Sequence, residues 1–236
     1  MNLILYYLFV YLIEAIILWL YCNRIFTSRK NTFLSLLITI GMFSLLIPVA
    51  ILTNAALNAF CSFIVYLCCI VLNYDSKPVW ALFHALALTI LMALSEGLIA
   101  AAIPDITIYA FRDGNIHSSA FTFVILSKSV YLCISQLVTR IFSKNTVNNA
   151  SIRKSTLMLY LIPVMSSIIT VSLGYICLNG KLSGSDSVIV FICLVLLLSI
   201  NILTFYLQQD ISQKNVEYAR LQIELQKETD TEHYYN

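Results

Sequence analysis

Three charged side chains interrupt the apolar runs of this sequence, and they are the first candidates for chemistry. Glu14 lies within "YLFVYLIEAIILWLYC", Glu96 within "MALSEGLIAAAIPD" and Lys128 within "FVILSKSVYLC". A charged group in hydrocarbon costs at least about 2.5–3.5 kcal/mol, so it normally faces protein or water and has a partner. These positions therefore carry a stronger functional expectation than the polar residues elsewhere in the chain.

Glu96 and Lys128 are predicted to lie at the same depth on neighbouring helices. One precedes the end of its apolar run by about seven residues and the other follows the start of the next by about nine, which puts both about 10–13 Å below the outer surface at a helical rise of about 1.5 Å per residue. An ion pair is therefore expected. Two interpretations stay open: the pair only fixes packing, or it is the charged floor of an outward-facing pocket. In the second, Asp105, Arg112 and Asp113 of the connecting loop complete the candidate ligand-binding set.

The remaining reactive residue types form no recognisable catalytic or metal-binding pattern. His84, His117 and His233 have no second ligand at metal-binding spacing, and the sequence has no glycine-rich phosphate loop and no nucleophile elbow. The seven cysteines form no CxxC pair and are interpreted as small buried hydrophobes. No catalytic residue, metal ligand or cofactor is predicted, and an intramembrane enzyme is the least favoured function.

The elements that hold these residues follow from the composition. Of 236 residues, 60% are hydrophobic and 11% are charged, and the mean hydropathy is +0.86. Soluble domains use about 25% charged residues, so lipid must be the solvent for most of this chain. The long uninterrupted apolar runs favour helices over barrel strands. The sequence predicts an all-α, polytopic membrane helix bundle with no nucleic-acid partner.

Seven apolar segments are long enough to approach the span of about 20 residues that a bilayer requires. They cover residues 3–22, 32–51, 56–73, 79–103, 119–142, 156–178 and 187–208. The separation of the second from the third depends on "LTNAALN" at 52–58. If that stretch is a kink and not a turn, the count becomes six.

The basic residues favour seven spans. With seven spans and the N-terminus outside, eleven Lys and Arg residues fall on the cytoplasmic side, as the positive-inside rule requires. These are Arg24, Arg29, Lys30, Lys77, Arg140, Lys144, Arg153, Lys154, Lys214, Arg220 and Lys227. Six spans would put the clusters at 24–30 and 140–154 on opposite sides. The expected protein is a multi-pass cell-membrane protein with a cytoplasmic C-terminus.

A polar helix is predicted to follow the last span. The stretch after Gln209 carries six acidic and three basic residues and no Pro or Gly. Ile211, Tyr218, Leu221 and Leu225 follow the a and d spacing of a heptad repeat, although two heptads are short for a coiled coil. The predicted organisation is a transmembrane sensor domain at 1–208 and a cytoplasmic linker or dimerisation helix at 209–236.

The stretch "NILTFYLQQDISQKNVEYARLQIELQKETDTEHYY" resembles the junction in receptor histidine kinases of the Agr/Com peptide-pheromone type, which have a GHKL-type ATP-binding domain. "LMALSEGLIAAAI" is similar to the acid-bearing fourth segment of such sensors. The resemblance implies a quorum-sensing receptor that detects a secreted peptide, works as a homodimer, and acts through a kinase domain and a response regulator. His233 is followed by Tyr-Tyr-Asn and not by the acid of a phosphoacceptor motif. The chain would then be the sensor part, ending before the kinase core.

A small membrane transporter or permease subunit is the alternative function. The polar tail separates the two functions, because a transporter has no need of a long charged helix after its last span. No internal repeat of the kind that builds transporter halves is visible in the sequence.

Overall fold

Helices follow the apolar runs of the sequence closely. The computed structural model describes residues 3–52, 55–104, 118–141, 161–179 and 184–235. In chain order the elements are α1 Leu3–Ile25, β1 Thr27–Ser28, α2 Thr32–Ser44, α3 Ile47–Ile51, α4 Ala55–Asn73, β2 Tyr74–Asp75, α5 Pro78–Ala102, α6 Ser118–Ile141, α7 Leu161–Asn179 and α8 Gly184–Tyr235. The predicted all-α bundle is confirmed.

The second apolar segment is broken into α2 and α3. Pro48 lies in the first turn of α3, where its missing N–H needs no helical acceptor. A proline inside a continuous helix would clash with the preceding turn, so the chain ends α2 at Ser44 and begins again at Ile47. Pro78 starts α5 by the same rule, after Lys77 in an extended conformation.

A short antiparallel strand pair ties the first and fourth helices together at one end of the bundle. Thr27 pairs with Asp75 and Ser28 with Tyr74, and Arg29 forms an ion pair of 3.2 Å with Asp75. The chain between β1 and β2 therefore leaves this end of the bundle through α2–α3 and returns to it through α4. This geometry matches a turn, and not a kink, near residues 52–58, of which 53–54 lie outside the described residues.

Tyr74 anchors this strand pair to the helices. Its hydroxyl donates to Asn23 Oδ1 at 3.1 Å and accepts from Ser35 Oγ at 3.3 Å. Burial raises the pKa of the Tyr74 phenol, so it stays a neutral donor and acceptor. The end of α1, the start of α2 and the end of α4 are joined by one side chain.

Helix α5 is the central helix of the bundle. It packs against α4, α6, α7 and α8, and 72% of its most apolar stretch is buried, against 28–39% for the other long apolar helices. Small residues make this possible, since alanines 85, 87, 100 and 101 let neighbouring helices approach. A residue on α5 can therefore contact most of the bundle.

The outside of the bundle is apolar. Large hydrophobic side chains such as Phe33, Leu45, Phe60 and Leu161 are 60–67% exposed. Five helices in the described ranges are long and apolar enough to cross a membrane, and the apolar helices Leu57–Asn73 and Leu161–Thr170 are shorter. An exposed apolar surface of this extent is unstable in water. The chain is a membrane protein whose helices lie in a lipid bilayer.

Candidate functional site

The three charged residues within the apolar runs meet at one point, which we call the charged triad (Glu14, Glu96 and Lys128). Lys128 Nζ on α6 donates to Glu96 Oε1 on α5 at 2.5 Å and to Glu14 Oε1 on α1 at 2.5 Å. The predicted pairing of Glu96 with Lys128 is confirmed. The second partner, Glu14, was not expected from the sequence.

Glu14 and Lys128 are each placed by the buried stripe of their own helix. Lys128 lies on the face of α6 that buries Val124, Tyr131 and Ser135, at the three- and four-residue spacing of one helix face. Glu14 lies on the equivalent face of α1, between Tyr11 and Leu18. The same periodicity that builds the core therefore carries these charges into it.

The triad is unequal in both charge and exposure. Two carboxylates share one ammonium, so the ionised group carries a net charge of −1. Glu14 and Lys128 have side chains that are 3% exposed, whereas that of Glu96 is 41% exposed. Glu14 Oε2 is buried and has no hydrogen-bond partner among the described residues. The group thus has a closed side at Glu14 and an accessible side at Glu96.

Tyrosines lie near the triad. Tyr6 and Tyr11 lie within electrostatic range of its charged groups. The Tyr11 hydroxyl donates to Asn58 Oδ1 of α4 at 2.8 Å. Tyr6 packs edge-on against Phe121 of α6, with ring centroids 5.8 Å apart. The carboxylates of the triad therefore have aromatic side chains as neighbours.

Helix α8 is attached to the central helix at three depths. Near the start of α8, Ser187 Oγ donates to the carbonyl of Ala101 at 2.5 Å. Further along, Leu194 packs against Gly97, where an added Cβ would lie 3.2 Å from Leu194 Cδ1. These contacts put α8 directly against the turn of α5 that bears Glu96.

The third attachment lies beyond the middle of the bundle. The rings of Phe205 and Phe83 meet edge-on, with centroids 5.6 Å apart. Asn201 Nδ2 also donates to Ser166 Oγ of α7 at 2.5 Å, which holds the same part of α8 to a second neighbour. Helix α5, which bears Glu96, therefore contacts α8 at three places along the bundle.

Beyond these contacts, α8 continues without interruption into the polar tail. The helix has 52 residues, and Val216 is the last of them to pack against the main core cluster. Two ion pairs between residues four apart support the exposed part, Lys214 with Asp210 at 2.9 Å and Arg220 with Glu224 at 3.0 Å. Pairs at this spacing favour the helical conformation of an exposed segment.

The predicted heptad residues lie along this extension. Ile211 is partly buried, and Tyr218, Leu221 and Leu225 are 65%, 49% and 62% exposed. The apolar stripe is therefore present on the helix surface. Its role in pairing two copies stays a prediction.

The other sequence-based candidates lie outside the described residues or have other neighbours. Asp105, Arg112 and Asp113 lie outside the described residues. His84 is fully buried and packs among aromatic rings, with its Nδ1 2.8 Å from the hydroxyl of Tyr21. Within the described ranges no group of three or more His, Cys, Asp or Glu side chains is placed to hold a metal ion, and the six cysteines whose thiols are described are free.

No family model, curated protein or solved structure matches this chain. The features of the chain that bear on its function are the triad, the contact between α5 and α8, and the length of α8.

Proposed function

We propose that this chain is the membrane-embedded receptor module of a two-component histidine kinase that detects an extracellular signal, a secreted peptide in a quorum-sensing system. The observation that carries the proposal is α8, a 52-residue helix that is apolar within the bundle and charged beyond it. A single helix transmits rotation or displacement between its two ends because its backbone hydrogen bonds are internal. The tail would deliver that motion to a kinase domain, in a homodimer, with a response regulator downstream.

The contacts of α5 supply a route from a ligand to α8. A signal that changes the position of Glu96 acts on the turn that bears Gly97, and Gly97 packs against Leu194. Because Gly97 has no side chain, only the Leu194 side chain separates the two backbones at this point, and a small shift of either helix changes the contact. This route makes the triad the input and α8 the output of the proposed receptor.

The proposed topology has seven crossings with the N-terminus outside. The strand pair at one end of the bundle and the basic residues of the sequence both support it. Single cysteines at Asn115 and Asn148, in a cysteine-free background, test the orientation with an impermeant thiol reagent on intact cells. Asn115→Cys should react and Asn148→Cys should not, and equal labelling of the two would contradict seven crossings.

A transporter or permease subunit is the second candidate, favoured by the charged triad within the bundle, since intramembrane charges also line transport paths. The two functions differ in what α8 must do. A transporter works with any tail that keeps it folded, whereas a receptor needs a fixed angular relation between the bundle and the output domain.

The rotation of the tail about the α8 axis, relative to the bundle, therefore provides the test. In a chimera with a histidine-kinase core after Asn236, one Ala is inserted after Gln213, which rotates everything beyond it by about 100°. Basal autophosphorylation should change severalfold. Insertion of seven residues rotates the helix by about two full turns and should restore most of the original activity.

The matched control is Gln213→Ala in the same chimera, which changes an exposed residue without changing the length of the helix and should leave basal autophosphorylation near its original value. If the one-residue and seven-residue insertions after Gln213 change basal autophosphorylation equally, the tail is a flexible linker and the receptor proposal is wrong. Membrane yield of each variant shows that the bundle is intact.

A further inference from the structure

We propose that the charged triad is the recognition site for a ligand that carries one positively charged organic group, an ammonium or a guanidinium, next to an apolar or aromatic portion. This inference rests on the proposed receptor function and specifies the chemistry of the signal. It follows from the number of charges in the triad, from the unpartnered atom of Glu14 and from the aromatic surroundings.

The charge count leaves room for one more cation. Lys128 is shared by Glu14 and Glu96 through one oxygen of each carboxylate, at 2.5 Å in both cases. A buried ion pair is stable only when the charges balance and the remaining hydrogen-bonding positions are filled. One further positive group would turn a shared ammonium into two separate pairs.

One carboxylate oxygen of Glu14 shows where the triad has more hydrogen-bond acceptors than donors. Glu14 is 2% exposed, and no atom in the part of the chain that the structure describes forms a hydrogen bond with its Oε2. A ligand ammonium that pairs with Glu96 would release Lys128 from that carboxylate and leave it to Glu14 alone, whose two oxygens a lysine ammonium can serve together. The ligand and Lys128 would then each have one acid.

The exposure of Glu96 gives the order of events. Its side chain is 41% exposed, whereas the side chains of Lys128 and Glu14 are 3% exposed. A ligand therefore meets Glu96 first. Because Glu96 precedes Gly97, the residue that contacts α8, binding at this carboxylate acts on the proposed route to the tail.

The tyrosines specify the rest of the ligand. Tyr6 lies within electrostatic range of Glu96 and stacks edge-on with Tyr7, with ring centroids 5.3 Å apart. Tyr7 in turn stacks with Tyr11 at 6.4 Å. Aromatic rings beside a carboxylate favour organic cations over hydrated inorganic ones, because the ring faces attract weakly hydrated charge.

The test uses the whole chain in nanodiscs of neutral phosphatidylcholine, with benzylammonium as the probe and benzyl alcohol as its uncharged match. At constant ionic strength and pH, benzylammonium should raise the apparent melting temperature in a saturable manner, as mass action requires of a ligand that binds the folded state. Benzyl alcohol should not. Two further probes separate the sources of the cation: phenylalaninamide carries a terminal ammonium, and N-acetyl-lysine methylamide carries a side-chain ammonium.

Glu96→Gln should weaken benzylammonium binding by about 10- to 100-fold, the loss expected when one charge-assisted hydrogen bond is removed. Asp75→Asn is the matched control, since it removes an exposed carboxylate at the opposite end of α5 and should leave binding unchanged. Glu96→Asp keeps the charge and should retain part of the affinity, which separates loss of binding from loss of folding. Saturation-transfer NMR of benzylammonium gives the same comparison without reference to stability.

Two results would overturn the proposal. One is equal stabilisation by benzylammonium and benzyl alcohol, and the other is equal stabilisation by benzylammonium chloride and sodium chloride. Unchanged benzylammonium affinity in Glu96→Gln would also overturn it. None of these results touches the receptor function, which depends on the insertions after Gln213. Conversely, benzylammonium binding to a chimera whose kinase activity does not change with those insertions would support the cation site and contradict the receptor function.

Discussion

Lys128 holds together three helices that are distant in the sequence. Its ammonium contacts α1 through Glu14 and α5 through Glu96, and its own backbone belongs to α6. An unpaired charge in hydrocarbon costs more free energy than the same ion pair would contribute in water. The three residues therefore form a unit in which the effect of removing one depends on what remains.

At the scale of single residues, we expect the stability of variants that lack Lys128 to depend on how exposed the remaining unpaired carboxylate is. Lys128→Met leaves two unpaired acids and should cost about 3–5 kcal/mol, the range for breaking a buried pair. Adding Glu14→Gln should recover most of this loss, because the remaining Glu96 is 41% exposed and can be hydrated. Adding Glu96→Gln should recover less, because Glu14 stays buried. Thermal unfolding and folded yield of the three variants give the order.

Equal recovery by the two double variants would show that exposure does not decide the outcome. Strictly additive losses would show that the three charges do not act on one another. Recovery of folded yield without recovery of response to a ligand would assign the triad to recognition as well as to packing.

The depth of Glu96 and Lys128 could be predicted from the sequence, because it depends only on the rise of a helix and on the loop that joins α5 to α6. The partnership with Glu14 could not, since it requires that α1 pack against α6, and no pattern within either helix states which helix is its neighbour. Gly97 is a similar case. A glycine within a helix indicates a close approach, but its partner Leu194 is almost a hundred residues away in the chain.

At the scale of the helix, the packing of α5 on α8 depends on Gly97. Gly97→Leu should overpack this contact, because even a Cβ would lie 3.2 Å from Leu194 Cδ1, and the expected loss is about 1–3 kcal/mol. Gly41→Leu is the matched control, since no atom lies within 4 Å of its Cβ position, and it should be neutral or stabilising by up to about 1 kcal/mol. Thermal unfolding in the same nanodiscs measures both.

If the two leucine variants lose the same stability, the contact between α5 and α8 is not a close one. In the kinase chimera, Gly97→Leu should also change basal activity while Gly41→Leu leaves it unchanged. That second comparison separates a contact that transmits from one that only packs.

At the scale of the whole molecule, the arrangement of the first five helices depends on the strand pair. Its strands have two residues each, which is too short to leave an alternating pattern in the sequence. From the sequence alone, the choice between six and seven crossings depends on whether the stretch at 52–58 is a kink or a turn. The pairing of Thr27 with Asp75 decides how the chain runs between α1 and α5, since it returns residue 75 to the end of the bundle from which residue 27 departs.

A disulfide tests this arrangement directly. Residues opposite each other in an antiparallel pair have Cα atoms about 4.5–5.5 Å apart, within the range that a disulfide spans. Thr27→Cys with Asp75→Cys, in a cysteine-free background, should cross-link on mild oxidation. Thr27→Cys with Ile103→Cys should not, because Ile103 follows the other end of α5. Absence of the first cross-link, with both thiols reactive, would contradict the strand pair.

The exposed end of α8 is free to move farther than the part held in the bundle. Val216 is the last residue of α8 that packs against the main core cluster, and Tyr235 lies 19 residues beyond it. At about 1.5 Å per residue this free arm measures about 28 Å, so a tilt of about 6° at Val216 would displace Tyr235 by about 3 Å.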